Sequence, residues 1–325
     1  MIQKYAVVLP ATLESFLLAT LVGARRKRIS QLLKFKSVTV NGAVISRGTH
    51  ALSAGDTVEI HFGGRPSGAV ELAGGLRIVY EDDHLLVVDK PAGLLTIATE
   101  HERERTAYAM LTDYVRNQTR GHSSECGAPK RRGRSESPVE ASSAADQNEA
   151  SVDNRPRVFI VHRLDRDTSG LLVLARTDAV KRALQSEWKQ VEKRYLAVVE
   201  GVPKEPGGTI RSRLRDNAAM RVYSTGTEEG EPAVTHYRVI RSSKTCSLLE
   251  ITLETGRKNQ IRVHLSDLGH PIVGDRKYGA HSSPARRLGL HAGSLTFTHP
   301  VTGERRTYMS PLPSRLQQLL GSATT

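Results

Sequence analysis

Cysteine is nearly absent: the 325 residues contain two, Cys126 and Cys246. They stand far apart and without metal-ligand spacing, which argues against a disulfide scaffold and against a cysteine-based metal site. Long hydrophobic runs are also missing. None approaches the roughly 18 residues of a spanning helix, and the N-terminal Met1-Ile2-Gln3-Lys4-Tyr5 lacks the apolar core of a secretion signal. Acidic side chains are in deficit, 34 against 47 Lys and Arg, which leaves a net charge of +13. That surplus says more about partners than about fold: it favours a polyanion such as RNA or DNA, with an anionic membrane surface as the competing reading. At 38% hydrophobic the chain can still build a sizeable core. Its length suggests two domains, or one large domain and a small module. The expectation is a soluble, cytoplasmic, polyanion-binding monomer without a membrane partner.

Three segments follow. Residues 1–62 read as a compact unit. Thr12 can cap a first helix on which Leu13, Phe16, Leu17, Thr20 and Leu21 recur at helical spacing. Arg25, Arg26, Lys27 and Arg28 open a second amphipathic stretch with Ile29, Leu32 and Leu33. Ser37-Val38-Thr39-Val40-Asn41-Gly42 is a strand-like run ending in Asn-Gly, the strongest short hairpin signal. Gly55-Asp56 precedes another strand, Thr57 to His61. Residues 63–75, rich in glycine at their start, read as a linker.

A larger unit, 76–315, begins with two strands around the polar turn Glu81-Asp82-Asp83-His84, the second stopped by Pro91-Ala92-Gly93. Within it, residues 118–157 hold almost no large aliphatic side chain and cannot bury enough apolar surface to offset their ordering entropy. They are expected to be a disordered insertion, whose Lys130-Arg131-Arg132-Gly133-Arg134 cluster is either a phosphate contact or a solubilising charge run. Afterwards short apolar runs at 171–175, 195–199 and 248–253 read as strands, and 181–191 and 259–267 as helices. Residues 316–325 read as a tail. Strands with few intervening helices argue for an α+β fold with a largely antiparallel mixed sheet.

Chemistry-bearing residues fall in three constellations: His162-Arg163-Leu164-Asp165 with Thr168-Ser169-Gly170; Lys193-Arg194-Tyr195-Leu196; and Glu254-Thr255-Gly256-Arg257-Lys258-Asn259-Gln260-Ile261-Arg262-Val263-His264. His270-Pro271-Ile272-Val273-Gly274-Asp275 and Leu290-His291-Ala292 follow. In this order they resemble the RluA-type RNA pseudouridine synthases, whose signature is His-Arg-Leu-Asp followed by Thr-Ser-Gly. The resemblance runs from about residue 76 to residue 313. Residues 12–61, with their basic helix, Asn-Gly hairpin and Gly-Asp turn, resemble the αL RNA-binding module, although the helix start lacks its usual Ser-Arg pair. Asn259 is a second departure, standing where the synthases often have His.

The resemblance implies the fold and a set of roles. Asp165 matches the essential aspartate, which attacks either the uracil or the ribose. Tyr195 matches the aromatic that stacks on the target base, and Arg262 the cation that pairs with the aspartate. Arg163 matches a residue that fills the gap left by a flipped nucleotide. His162, Arg257 and Gln260 are expected to contact substrate, although His162 and His264 read more simply as structural hydrogen-bonders. The module cations Arg25, Arg26, Lys27 and Arg28 are expected to meet phosphate. Elementary chemistry agrees with these roles. A stacked uridine hides its glycosidic bond until it is extruded, at a few kcal/mol that an aromatic and a planar cation can offset. The reaction is a net isomerisation, so no metal and no organic cofactor is expected. The implied substrate is large-subunit ribosomal RNA, free or in a precursor particle, with transfer RNA as the alternative.

Two rival readings compete. Asp165-Arg166-Asp167 faintly resembles the paired aspartates of metal-dependent phosphotransferases, but that family wants an apolar strand directly before the first aspartate, and His162 and Arg163 intervene. An RNA-binding or assembly protein on the same fold would share the charge, yet has no need for Asp165, Tyr195 and Arg262 together.

Overall fold

The computed structural model describes residues 2–21, 26–34, 38–61, 70–100, 102–123, 156–217 and 221–321. The first segment carries β1 (Ile2–Ala6), β2 (Ala11–Thr12), α1 (Leu13–Thr20), α2 (Arg26–Lys34), β3 (Val38–Val40), β4 (Ala43–Val44), β5 (Ala51–Leu52) and β6 (Thr57–His61). Thr12 caps α1 as its sequence position suggested, its hydroxyl accepting from the Ser15 amide at 3.3 Å. Asn41 and Gly42 both take positive φ, 51° and 81°, which joins β3 to β4 by the tight turn that an Asn-Gly pair favours. Strand order is β1-β6-β3-β4, and β2 pairs with β5. Leu13, Leu17, Ile29, Leu33, Val38, Val58 and Ile60 make a hydrophobic core of their own. Arg26 is exposed at the start of α2. Arg25 and the side chains of Lys27 and Arg28 lie outside the described residues.

The rest is organised by one mixed sheet. Its strands are β7 (Val70–Leu72), β8 (Leu76–Glu81), β9 (Leu85–Lys90), β10 (Phe159–Ile160), β11 (Ser169–Ala175), β12 (Glu192–Glu200), β13 (Gly207–Asp216), β14 (Val222–Thr225), β15 (Glu231–Ser242), β16 (Cys246–Leu253), β17 (Leu290–Thr298) and β18 (Arg305–Met309). The order is β14-β13-β15-β16-β12-β17-β11-β9-β8-β7, with β10 on β11 and β18 on β17. Among these pairings one is parallel, β11 with β17; the others are antiparallel. The α+β reading with a largely antiparallel mixed sheet therefore holds. Helices α3 (Ala107–Ser123), α4 (Asp178–Ser186), α5 (Gln260–Asp267) and α6 (Ser314–Gln317) cover it. Among the described residues no helix is long and apolar enough to cross a membrane.

Several boundaries move. Val70-Glu71-Leu72, expected in a linker, pairs with β8 instead, because its apolar residues sit at alternate positions and Gly74, at φ 69°, lets the chain reverse. Residues 118–123, expected in the insertion, continue α3. That helix was not anticipated: Ala107, Leu111 and Val115 recur at helical spacing and pack under the sheet with Leu86, Val88 and Leu172. The remainder of the insertion, 124–155, lies outside the described residues. Helix α4 starts at Asp178 rather than at residue 181, since Thr177 caps it by accepting from the Val180 amide. The two strands around the acidic turn are β8 and β9, and Asp82 makes that turn by accepting from the amides of His84 and Leu85.

Candidate active site

Asp165, Tyr195 and Arg262 lie 97 residues apart in sequence at their extremes, and the sheet brings them together. Asp165 sits in the loop entering β11, Tyr195 on β12, and Arg262 in the first turn of α5. Strand β17 runs between the first two. Gly170 of β11 and Tyr195 of β12 both face Ala292, so Tyr195 stands two strand spacings, about 10 Å, from the end of the loop. The pairing of β12 with β17 shifts register between Arg194 and Tyr195. Such bulges re-aim a side chain, here the ring beside Asp165. Ile261 and Leu265 of α5 pack against Ala197, Ile251 and Leu290, which fixes the helix over the same sheet face.

Arg262 Nη1 lies 3.7 Å from Asp165 Oδ2. That distance is an ion pair without a hydrogen bond. Among the described residues no donor hydrogen-bonds the Asp165 carboxylate, so its charge is balanced while its lone pairs stay available to attack. The tighter partner of Arg262 is Asp275, which accepts from Nε at 2.7 Å and Nη2 at 2.8 Å in a bidentate fork. The Asp275 side chain is 1% exposed. Asp275 thereby clamps the Arg262 guanidinium, a contact no local pattern in the sequence reveals.

Two more residues complete the clamp. Asn259 accepts from Arg262 Nη1 at 3.0 Å and donates to the Tyr278 hydroxyl at 3.1 Å. The Tyr278 ring lies under the Arg262 guanidinium, 4.9 Å from centroid to carbon. Asn259, the departure from the family pattern, is buried and faces Arg262. Its backbone is left-handed, φ 54°, a conformation that asparagine tolerates better than most side chains. Burial alone would lower the Arg262 pKa, but the Asp275 hydrogen bonds and charge, then Asp165 and Tyr278, raise it on balance. Tyr195 is half-buried, and burial followed by the charge of Asp165 pushes its phenol up to about 12. It is a neutral phenol at neutral pH.

The loop that carries Asp165 is pinned at three points. Thr96 Oγ1 donates to the Leu164 carbonyl at 2.7 Å and accepts from the Leu164 amide. Lys90, wholly buried, donates from Nζ to the carbonyls of Arg166, Pro91 and Leu94 at 2.8–3.0 Å. Burial drops its pKa to about 7, against the opposing pull of Asp167 and Asp165. Ser169 Oγ hydrogen-bonds His291 Nδ1 at 2.8 Å and accepts from Arg287 Nη2 at 2.6 Å. Lys90, Thr96 and Arg287 were not anticipated. A lysine closing a strand of four consecutive apolar residues was the only available signal, and it pointed to an exposed strand end.

Other expected substrate residues prove to be committed to the scaffold. The His162 ring stacks on Trp188 at 4.5 Å, and Nε2 accepts from the Val173 amide at 3.0 Å. Burial, with the charge of Lys193, drops its pKa to about 3, so it is neutral. Gln260 was expected to meet substrate. It is 2% exposed, and its amide is saturated: Oε1 accepts from Thr255 Oγ1 and the Arg257 amide, while Nε2 donates to the Val234 carbonyl and Thr235 Oγ1. Arg257 pairs with Glu231 at 2.6 Å and donates to the Pro232 carbonyl. His264 bridges Ser212 and Thr235, the structural use read from sequence. Arg163 and Asp167 are exposed.

Comparison with known proteins follows the same outline. A family model described as RNA pseudouridylate synthase matches residues 84–267. An uncharacterized RNA pseudouridine synthase, YlyB, of Bacillus subtilis strain 168 is 32% identical over 95% of this chain and 92% of its own length. Ribosomal large subunit pseudouridine synthase D of Xanthomonas campestris pv. campestris is 34% identical over 91% of this chain and 84% of its own. Among solved structures, human RNA pseudouridylate synthase domain containing 4 superposes with a TM-score of 0.51 at 25% identity, over 74% of this chain and 92% of that one.

Proposed function

The chain belongs to the RNA pseudouridylate synthase family and is an isomerase; from that premise we propose that it converts uridines of large-subunit ribosomal RNA, with Asp165 as the nucleophile. The observation that carries the reading is the Asp165–Arg262 pair with Tyr195 alongside, Arg262 being held by Asp275 rather than by Asp165. The choice of ribosomal RNA follows the names of relatives such as the Xanthomonas enzyme.

The target nucleotide must leave its stack before the glycosidic bond is reachable, and Tyr195 offers the base a new face on which to stack. Exposed Arg163 stands two residues before Asp165, where its planar cation can occupy the vacated place. Asp165 then attacks, on either the uracil or the ribose. The bond from N1 to C1′ breaks, the base turns, C5 joins C1′, and the C5 proton leaves while N1 gains one. Atoms and electrons balance without any external group. Arg262, 3.7 Å away, balances the charge of the carboxylate as RNA displaces water. Once Asp165 is esterified its charge is gone, and with it one of the two causes that hold the Tyr195 phenol protonated. The phenol is then easier to deprotonate: it can give its proton to N1 and, as phenolate, take the one that leaves C5. Residues 2–61, with exposed Arg26 on α2, act as an RNA-docking module that delivers the substrate.

Unmodified large-subunit ribosomal RNA labelled with tritium at C5 of uridine tests this. The purified protein should release the label from it and not from transfer RNA. Release from transfer RNA alone would overturn the substrate class, and no release from either would overturn the catalytic reading.

A further inference from the structure

Across the sheet from Tyr195, at the same strand ends, lies a cavity of about 750 Å³ lined by Arg77, Lys90, Arg286, Arg287, Arg315 and His291, with prolines at 91, 311 and 313 in its wall. One carboxylate lines it, Asp89, and that group is already engaged by Arg77 at 2.5 Å and by the Ser310 hydroxyl at 2.8 Å. Among the described residues, Arg286, Arg287 and Arg315 form no ion pair. Arg287 is half-buried and donates to neutral acceptors alone: Ser169 Oγ and the carbonyls of Leu288 and Leu290. Three arginines thus face one concavity whose lining carboxylate, Asp89, is already paired with Arg77, a surplus of cations that an anion would balance.

The site is built rather than incidental. Arg286 holds a left-handed backbone, φ 54°, a strained conformation for an arginine. The next carbonyl, that of Arg287, is packed so tightly on Gly274 that a Cβ there would come within 2.2 Å of it. The prolines fix the facing wall. The cavity also adjoins the catalytic loop. Ser169 lines it and is four residues from Asp165, at most about 14 Å along the chain. RNA whose flipped nucleotide sits by Asp165 need only cross the strand ends to reach it.

We propose that this cavity binds phosphodiester groups of the substrate RNA, seated by Arg286, Arg287 and Arg315 behind the catalytic loop. The proposal rests on RNA being the substrate. Planar guanidinium forks match two phosphate oxygens at once, so the site selects phosphate by geometry as well as charge.

The test uses the full chain and the double variant Arg286→Ala/Arg315→Ala, both positions being exposed. Affinity for large-subunit ribosomal RNA is measured against salt, alongside KM for label release. Each lost phosphate contact removes about 0.7–0.9 from the slope of log affinity on log salt. The double variant should therefore lose about 1.5 from the slope, bind roughly 10-fold more weakly and show KM raised to match. Lysines at both positions should restore most of the slope. An unchanged slope in a variant with wild-type melting temperature would overturn the proposal. So would stabilisation of the wild type, but not the variant, by inorganic phosphate without any change in RNA slope, since the cavity would then serve a free anion. Failure of the wild type itself to release label would count against the catalytic reading instead, because the salt slope is read from binding alone.

Discussion

Among the described residues Asp165 meets the charge of Arg262 at 3.7 Å and no hydrogen-bond donor, and the consequence can be measured. Asp165→Asn keeps the shape of a side chain that is 34% exposed, so folding and RNA binding should persist. Label release should fall by roughly 10⁴-fold or more, as when other enzymes lose a nucleophile; release within 10-fold of wild type would remove Asp165 from the chemistry. Asp275 makes a different prediction. Asp275→Asn leaves the Arg262 cation, 13% exposed, without its bidentate partner. Breaking a buried pair on one side costs about 3–5 kcal/mol, so denaturant unfolding should show a loss in that range, and Arg262 should turn toward Asp165. A loss below about 1 kcal/mol would mean that Asn259 and Tyr278 suffice to hold the guanidinium. Lys90 predicts a pH dependence. Its folded pKa is about 7, against 10.5 for the unfolded side chain. Between those values the unfolded chain binds more protons, so this group adds stability as pH rises from about 7 to about 10. The melting-temperature difference between wild type and Lys90→Met should widen in favour of wild type over that interval. A flat difference would show that the buried amine does not titrate there.

At the scale of elements, the joint between β11 and β17 governs the site. It is the parallel contact of the sheet, and Gly170 sits in it at φ 111°, where a Cβ would stand 2.3 Å from the Ala292 carbonyl oxygen. Neither conformation nor space admits a side chain. Gly170→Ala should cost on the order of 3–4 kcal/mol in unfolding experiments, and it should lower label release at temperatures where the variant is still folded, because the joint sets Tyr195 against the loop of Asp165. Full activity with wild-type stability would show that the strands can part without moving the site. The bulge at Arg194–Tyr195 and the helix α5 complete this frame, each aiming one side chain at the same point.

At the scale of the whole molecule, the net charge of +13 includes candidate RNA contacts in the first 61 residues and others near the loop of Asp165. Neutralising Arg25, Arg26, Lys27 and Arg28 together should weaken RNA binding and reduce its salt slope by about 3. An unchanged slope would mean that this segment does not touch phosphate. The sequence by itself determined the family, the α+β class, the Asn-Gly hairpin and the Thr12 cap, and it nominated Asp165, Tyr195 and Arg262 as candidates. Those are matters of short-range pattern: turn chemistry, apolar period and motifs contiguous in the chain. Tertiary structure alone decided what surrounds them. Lys90 meets the Arg166 carbonyl 76 residues away, Thr96 meets Leu164 68 residues away, and Arg287 meets Ser169 118 residues away. Gln260 and His162, polar and beside the motif, could face RNA or the core with equal local logic. Gln260 is buried and His162 partly so, and strands β11 and β15 present the backbone and hydroxyl groups that hold them. Partners of that kind are fixed by which strands become neighbours, and neighbours in a sheet are chosen by the packing of the whole chain.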